Sequence, residues 1–153
     1  MSALSADEMQ AWLLDRYNDL SLVHAYGERT FFVNPNGRLP HGAYFATIKE
    51  ADGPNDQASE LDRDRVWRLS FGLPKSAFAT LFGPPPSRPA KGGVVEGPWD
   101  FTALDHLTPH PVYGWMGWVA VLCPMQPTIE RHAKLLNHAY ERAQLTAAKR
   151  LKL

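Results

Sequence analysis

The residues best suited to chemistry lie in segment 105–122, "DHLTPHPVYGWMGWVAVL", where His110 stands between two prolines. Pro111 biases the backbone of His110 towards extended geometry, and Pro109 has a nearly fixed φ, so the imidazole is held in one orientation. Such an imidazole suits general acid–base catalysis or ligand anchoring, and Tyr113 offers a second hydrogen bond. The interpretation we favour for the prolines themselves is structural: they shape the entry to a buried strand, where His110 binds a loop carbonyl.

Catalysis by this histidine would require a carboxylate that orients the ring, and Asp105 is the local candidate. One hypothesis is therefore an enzyme that uses His110 as general acid or base with Asp105 as its partner. The leading hypothesis is a small-molecule-binding or interaction module without a catalytic constellation. Geometry separates the two, because an Asp105 carboxylate within hydrogen-bond reach of His110, both opening on a pocket, would favour catalysis.

Further candidates come from two tryptophans and an arginine. Trp115 and Trp118 are three residues apart, so a strand through both places them on opposite faces, one in the core and one free to line a cleft or a dimer contact. In a groove lined by aromatic rings, Arg68 suits an anionic ligand, whereas a surface ion pair with Asp62 or Asp64 is the simpler interpretation. The predicted ligand site consists of Arg68, His110, Tyr113, Trp115 and Trp118.

Metal and cofactor sites are not indicated. His106 and His110 are four residues apart, but Pro109 interrupts any helix that would place them on one face. Neither a Cys-x-x-Cys nor a His-Glu-x-x-His pattern occurs. The single cysteine, Cys123, is expected to be a buried, inert thiol. A chain with one cysteine cannot form an internal disulfide, which fits a reducing compartment.

The bulk composition describes an ordinary globular chain of 153 residues, predicted to form one domain over residues 1–153. Lys plus Arg and Asp plus Glu both count 16, which argues against a nucleic-acid binder based on bulk charge, although a local patch such as Lys149 and Arg150 stays open. The acidic first residues do not resemble a signal peptide and no apolar run approaches about 20 residues, so we expect a cytoplasmic protein without a membrane span. Both a monomer and a homodimer remain possible.

The elements that must position these residues are readable from periodicity. A capping box, "SADE", predicts a helix over residues 6–19, and a last helix opens after Pro127. A short helix is predicted in "KSAFATLF" and a short helical turn capped by Asp100 in "WDFTALDHL". Strands are predicted in "LSLVHAYG", "RTFFVNP", "AYFATIKEA", "VWRLSFGL" and "GWMGWVAVLC". Mobile loops are expected at about 52–65 and 84–98, and a frayed tail at about 146–153. This order predicts an α+β fold with a mainly antiparallel sheet flanked by N- and C-terminal helices.

Several of these segments together resemble the bacterial domain-of-unknown-function family 6194. They are "AYGERTFFVNP", "YFATI", "LDRDRVWRLSFGLPKSAFATLFG", "DFTALDHLTPHPVYGWMGWVAVLCP" and "LLNHAYERA". That family is distantly similar to MmcQ/YjbR-like proteins, so the resemblance implies a frataxin-type sandwich. Some MmcQ/YjbR-like proteins have been labelled DNA-binding, so the resemblance also implies weak nucleic-acid binding as a further alternative. The resemblance brings no catalytic residue.

Overall fold

A computed structural model describes residues 2–152, so Met1 and Leu153, at the ends of the predicted domain and tail, lie outside the described residues. The described strands are β1 Leu20–Ala25, β2 Glu28–Val33, β3 Ala43–Lys49, β4 Arg68–Gly72, β5 Thr108–Pro109 and β6 Trp118–Leu122. The described α-helices are α1 Ala6–Arg16, α2 Lys75–Phe82, α3 Gln126–Arg131 and α4 Ala133–Leu151, with 3-10 turns at Pro35–Gly37 and Gly114–Met116. None of these helices is both long enough and apolar enough to cross a membrane.

The strands form one open antiparallel sheet in the order β1-β2-β3-β4-β6-β5. The predicted α+β class, with a mainly antiparallel sheet and helices at both ends of the chain, is confirmed. The first hairpin turns through Tyr26 and Gly27, whose φ values of 54° and 73° are those of a two-residue type I′ turn. Gly27 tolerates this left-handed backbone because it has no Cβ.

Helices α1 and α4 pack side by side on one face of the sheet, the inner face. Helix α1 begins at the predicted capping box, in which Ser5 Oγ accepts from the Glu8 amide and the Glu8 carboxylate accepts from the Ser5 amide. Tyr17 joins the two helices, since its hydroxyl donates to Asn137 Oδ1 at 2.7 Å. The buried inner-face residues include Met9, Leu13, Phe31, Ile48, Leu69, Phe71, Val119, Val121, Leu136, Ala139 and Ala143.

The opposite, outer face is polar although much of it is buried. Strand register places Glu28 beside Lys49 and Lys49 beside Arg68, which forms a row of charged side chains. A second row, of hydroxyl groups, runs from Thr30 through Thr47 to Ser70. Loops rather than helices therefore have to cover this face, and they carry the candidate site.

The bounds of several predicted elements differ from those observed, and the first helix, for example, ends at Arg16 and not at residue 19. The last strand begins only at Trp118, because Gly114–Met116 forms a 3-10 turn that Gly117 closes with a φ of 92°. Trp115 thus lies in a turn, and the prediction that it faces away from Trp118 on one strand is wrong. The final helical segment is divided at His132, and α4 continues into the predicted tail as far as Leu151, where fraying remains a prediction. Its Ala147 is fully buried, which holds this part of α4 against the sheet.

Both long loops make specific contacts with the body of the protein. In segment 52–65, Ser59 and Leu61 are buried and Asp56 binds Arg68. In segment 84–98, Val95 is buried and its amide donates to the carbonyl of Pro111 at 2.9 Å. The loops are therefore covering elements of the outer face, and their mobility remains a prediction.

Candidate functional site

A cleft of about 460 Å³ opens on the outer face, at the end of the sheet where β3 and β6 begin. We call it the end cleft. Three chain segments meet there: the sheet itself, the loop that precedes β6, and one side of helix α4. Its lining consists of Glu28, Tyr44, Thr47, His110, Tyr113, Met116, Trp118, Arg142, Thr146 and Arg150.

His110 is held rigidly in the wall of the end cleft. The residue is 3% exposed, and its Nδ1 accepts hydrogen bonds from the amides of Val112 at 3.0 Å and Tyr113 at 3.1 Å. The amide of His110 in turn donates to the carbonyl of Trp118 at 2.9 Å. The ring nitrogen therefore binds amides of the turn that follows it, where the sequence favoured a bond to a carbonyl.

The protonation state of His110 follows from these contacts. Burial lowers its pKa well below the ordinary value, and the positive charge of Arg68 lowers it further, while Asp56 opposes the shift. A neutral imidazole whose Nδ1 accepts two hydrogen bonds carries its proton on Nε2. Among residues 2–152 no acceptor binds Nε2. His110 therefore presents a neutral hydrogen-bond donor in a fixed place.

The structure does not bring Asp105 to this histidine. Asp105 Oδ1 accepts from the amide of Met125 at 2.9 Å, and the Asp105 amide donates to the carbonyl of Leu122. These contacts lie at the far end of β6 from Trp118, the residue that pairs with His110, so about 13 Å of strand separates them. The orienting pair that the enzyme hypothesis requires is not formed.

Trp118 and the aromatic residues around it form the apolar part of the end cleft. The indole of Trp118 lies over Gly72, where an added Cβ would come within 2.8 Å of the ring. Tyr44, Tyr113 and Met116 are 55%, 48% and 41% exposed, although large apolar side chains gain most when buried. Their convergence on one concavity with Trp118 is the arrangement found in small-molecule sites.

Arg68 and Trp115, both predicted ligand contacts, lie outside the residues that line the end cleft. Arg68 is completely buried, and its guanidinium binds both carboxylate oxygens of Asp56, at 2.9 and 2.5 Å, and Ser59 Oγ at 3.0 Å. The predicted surface pair with Asp62 or Asp64 is therefore wrong, because the partner comes from earlier in the same loop.

Two atoms in this region of the outer face have no hydrogen-bond partner among the described residues. They are Nε of Arg68 and Oγ of Ser70, both inaccessible to solvent. Unsatisfied polar atoms of this kind are usually bound to internal water. The layer beneath the cleft is thus polar and has unused hydrogen-bonding capacity.

Trp115 instead anchors the loop 84–98. It is half-buried in its 3-10 turn, and the guanidinium of Arg88 lies 4.9 Å from the centre of its ring. A cation–π contact of this kind favours one position of the loop beside the cleft.

Two arginines of the end cleft, Arg142 and Arg150, are not among the ligand residues predicted from the sequence. Arg142, Thr146 and Arg150 are four residues apart in sequence and therefore share one side of α4. Arg142 donates from Nε to the carbonyl of Gly72 and from Nη2 to that of Tyr44, both at 2.8 Å. The i, i+4, i+8 spacing was the available signal, but nothing in the sequence indicated that this side of the helix meets the loop before β6.

Glu28 is the carboxylate that lines the cleft. Burial raises its pKa, and the positive charges of Lys49 and Arg68 oppose that shift. No salt bridge joins it to a basic side chain in the described part of the chain. Within residues 2–152 there is also no group of three or more His, Cys, Asp or Glu side chains that would hold a metal ion.

Comparisons with known proteins give one match. The model of a family of unknown function, DUF6194, matches residues 4–152. No curated protein and no solved structure matches the chain.

Proposed function

Since the chain belongs to DUF6194, a family of unknown function, we propose its function from the geometry: the protein binds a small molecule in the end cleft. The observation that carries the proposal is His110, a nearly fully buried histidine that lines an open cleft and whose Nε2 proton has no acceptor among the described residues. Nε2 is not one of the solvent-inaccessible polar atoms that lack a partner, so its N–H is open to the cleft, where a ligand oxygen or nitrogen can accept from it.

The lining supports a ligand with a flat apolar part. Tyr44, Tyr113 and Trp118 offer ring faces and edges, and Met116 adds an adaptable thioether. The volume of about 460 Å³ lies within the range of drug-sized sites. His110 would fix the orientation of such a ligand, as a few well-placed polar groups do in largely apolar pockets.

The finer predictions from the sequence belong to this proposal as well. A YjbR-like, frataxin-type sandwich is supported by the order of the elements, and a cytoplasmic location by the single buried cysteine. Arg68 contributes from below the cleft, by holding Asp56 and lowering the pKa of His110. We retain His110, Tyr113 and Trp118 as ligand contacts.

Filling the cleft tests the proposal. The uncharged fluorescent probe N-phenyl-1-naphthylamine should bind the wild-type protein saturably, with one probe per chain. In Thr146→Trp a bulky indole replaces a small side chain of the lining, so the apparent Kd should rise at least about tenfold, because the ring and the probe would overlap. Fluorescence titration measures the effect.

The matched control is Thr80→Trp on helix α2. Both threonines donate to the carbonyl four residues earlier at 3.1 Å, Thr80 to Ser76 and Thr146 to Arg142, but Thr80 is exposed and does not line the end cleft. Thr80→Trp should bind the probe like the wild type. Equal binding by the Thr146→Trp protein would refute the proposed site.

A further inference from the structure

Arg150 has a free edge at the rim of the end cleft. Its Nη1 donates to the carbonyl of Gly42 at 2.9 Å. Within residues 2–152 the guanidinium makes no other hydrogen bond. Nε and Nη2, which lie side by side on one edge of the planar group, are left unused. Two parallel N–H donors at this spacing match the two oxygens of a carboxylate.

The neighbouring charges leave this edge without a protein counterion. Neither Arg142 nor Arg150 pairs with a carboxylate within residues 2–152. Arg142 donates from Nε and Nη2 to main-chain carbonyls, and its Nη1 makes no hydrogen bond within residues 2–152. Glu28 is the one acidic residue of the lining, against two guanidinium groups and a neutral imidazole. The cleft therefore has an excess of positive charge that one anionic group would neutralise.

We propose that the ligand of the end cleft is a monocarboxylate on a flat apolar body, bound side-on by Arg150 and oriented by the neighbouring charge of Arg142. This inference rests on the proposed function and names the class of its ligand. A carboxylate suits the free edge better than a phosphate does, because two donors and about one net positive charge match two oxygens and one negative charge. The ring then lies among Tyr113, Met116 and Trp118.

Two isosteric competitors test the proposal against bound N-phenyl-1-naphthylamine. One is 2-naphthoate and the other is 2-naphthamide, which has the same rings and no charge. On the wild-type protein, naphthoate should displace the probe at a concentration at least about tenfold lower than naphthamide, because charge-assisted bidentate hydrogen bonds are the stronger kind. A third competitor, 2-naphthyl phosphate, should be weaker than naphthoate.

Substitutions at the C-terminal end of α4 locate the effect. Arg150→Gln should reduce the advantage of naphthoate to about twofold or less and leave naphthamide unchanged, and Arg150→Lys should lose part of it, since an ammonium is a point charge without the paired donors. Lys149→Gln is the matched control: it removes one exposed positive charge from the neighbouring position and should retain the full advantage. If Arg150→Gln unfolds early, Arg150→Lys carries the test.

The outcomes separate the two proposals. If naphthoate has no advantage on the wild-type protein, or retains it in the Arg150 variants, the carboxylate assignment is wrong, while the Thr146→Trp result still supports the cleft. A stronger naphthyl phosphate would replace the carboxylate with a phosphate. If Thr146→Trp leaves probe binding unchanged, both proposals fail.

Discussion

At the scale of single residues, His110 links the pH of the solution to the stability of the fold. In the unfolded chain a histidine binds a proton near pH 6.5, whereas burial keeps the folded His110 neutral to a much lower pH. The free energy of unfolding should therefore fall as the pH drops below about 6.5, by up to about 1.4 kcal/mol per pH unit, until the folded pKa is reached. His132, whose pKa is lowered by burial and by Arg131, acts in the same direction.

The variant His110→Asn isolates this contribution. Its side-chain oxygen can still accept from the amide of Val112 but does not titrate. Urea unfolding at pH 7.5 and 5.5 should show a clearly smaller loss of stability in the variant than in the wild type, with the part due to His132 retained in both. Parallel losses in the two proteins would show that His110 binds protons alike in the folded and unfolded states, which would contradict a lowered pKa in the fold.

Single residues also show what sequence reasoning can reach. The Pro-His-Pro motif predicts a restricted backbone at His110 whatever surrounds it, and a fixed imidazole remains a prediction. The partners of that histidine and of Arg68 could not be predicted, because they depend on how a turn and a loop fold back in space. Asp105 illustrates the same limit: its left-handed backbone, with a φ of 57°, directs its carboxylate to Met125.

At the scale of elements, a buried ion pair between Asp56 and Arg68 is one of the contacts that attach the loop 52–65 to the sheet. Asp56→Asn would leave the guanidinium of Arg68 buried without its counterion and should destabilise the protein by at least about 2 kcal/mol. Asp64→Asn, an exposed position in the same loop, should change stability by no more than about 0.5 kcal/mol. Chemical denaturation of the two variants measures the difference.

A double variant keeps this prediction specific to the pair. Replacing both partners by apolar residues, as in Asp56→Leu with Arg68→Met, removes the uncompensated charge and should recover part of the stability lost in Asp56→Asn. No recovery would mean that the loop is held by its other contacts, such as the buried Leu61, rather than by the ion pair.

Periodicity predicts the elements themselves well and their junctions poorly. Helix α2 has the predicted extent, and the first hairpin reverses where Gly27 allows it. The segment around Trp115 was assigned to a strand because its composition is apolar, but glycines at 114 and 117 allow a 3-10 turn there instead. Local composition did not distinguish a strand from a 3-10 turn. Because the turn forms, Trp115 does not line the end cleft.

At the scale of the whole molecule, the balanced charge bears on the nucleic-acid alternative. Basic and acidic residues both number 16, so the chain has no excess of positive charge, and the basic patch indicated by the sequence is only the pair Lys149 and Arg150. We expect no retardation of duplex DNA in a gel shift at about 150 mM salt, because too few phosphates would be neutralised to release counterions. A retarded band that weakens steeply with added salt would contradict this expectation.

The whole-molecule arrangement also explains why only part of the site was predictable. Strand and helix order sufficed for an α+β fold with an antiparallel sheet. His110, Tyr113 and Trp118 were found because they are neighbours in the sequence. Tyr44, Arg142 and Arg150 join them only through contacts between distant parts of the chain, and a sequence read without its relatives contains no local signal for such contacts.

The arginines of α4 fasten the helix as well as facing the cleft. Arg142 donates hydrogen bonds to the carbonyls of Gly72 and Tyr44, and Arg150 donates one to the carbonyl of Gly42. These bonds attach the C-terminal half of α4, which forms one wall of the cleft, to the sheet and the loop before β3. A ligand that binds Nε and Nη2 of Arg150 leaves the bond from Nη1 to Gly42 intact and should restrict the motion of this side chain. Because Arg150 both lines the cleft and attaches the end of α4 to Gly42, ligand binding should also stabilise the C-terminal end of this helix.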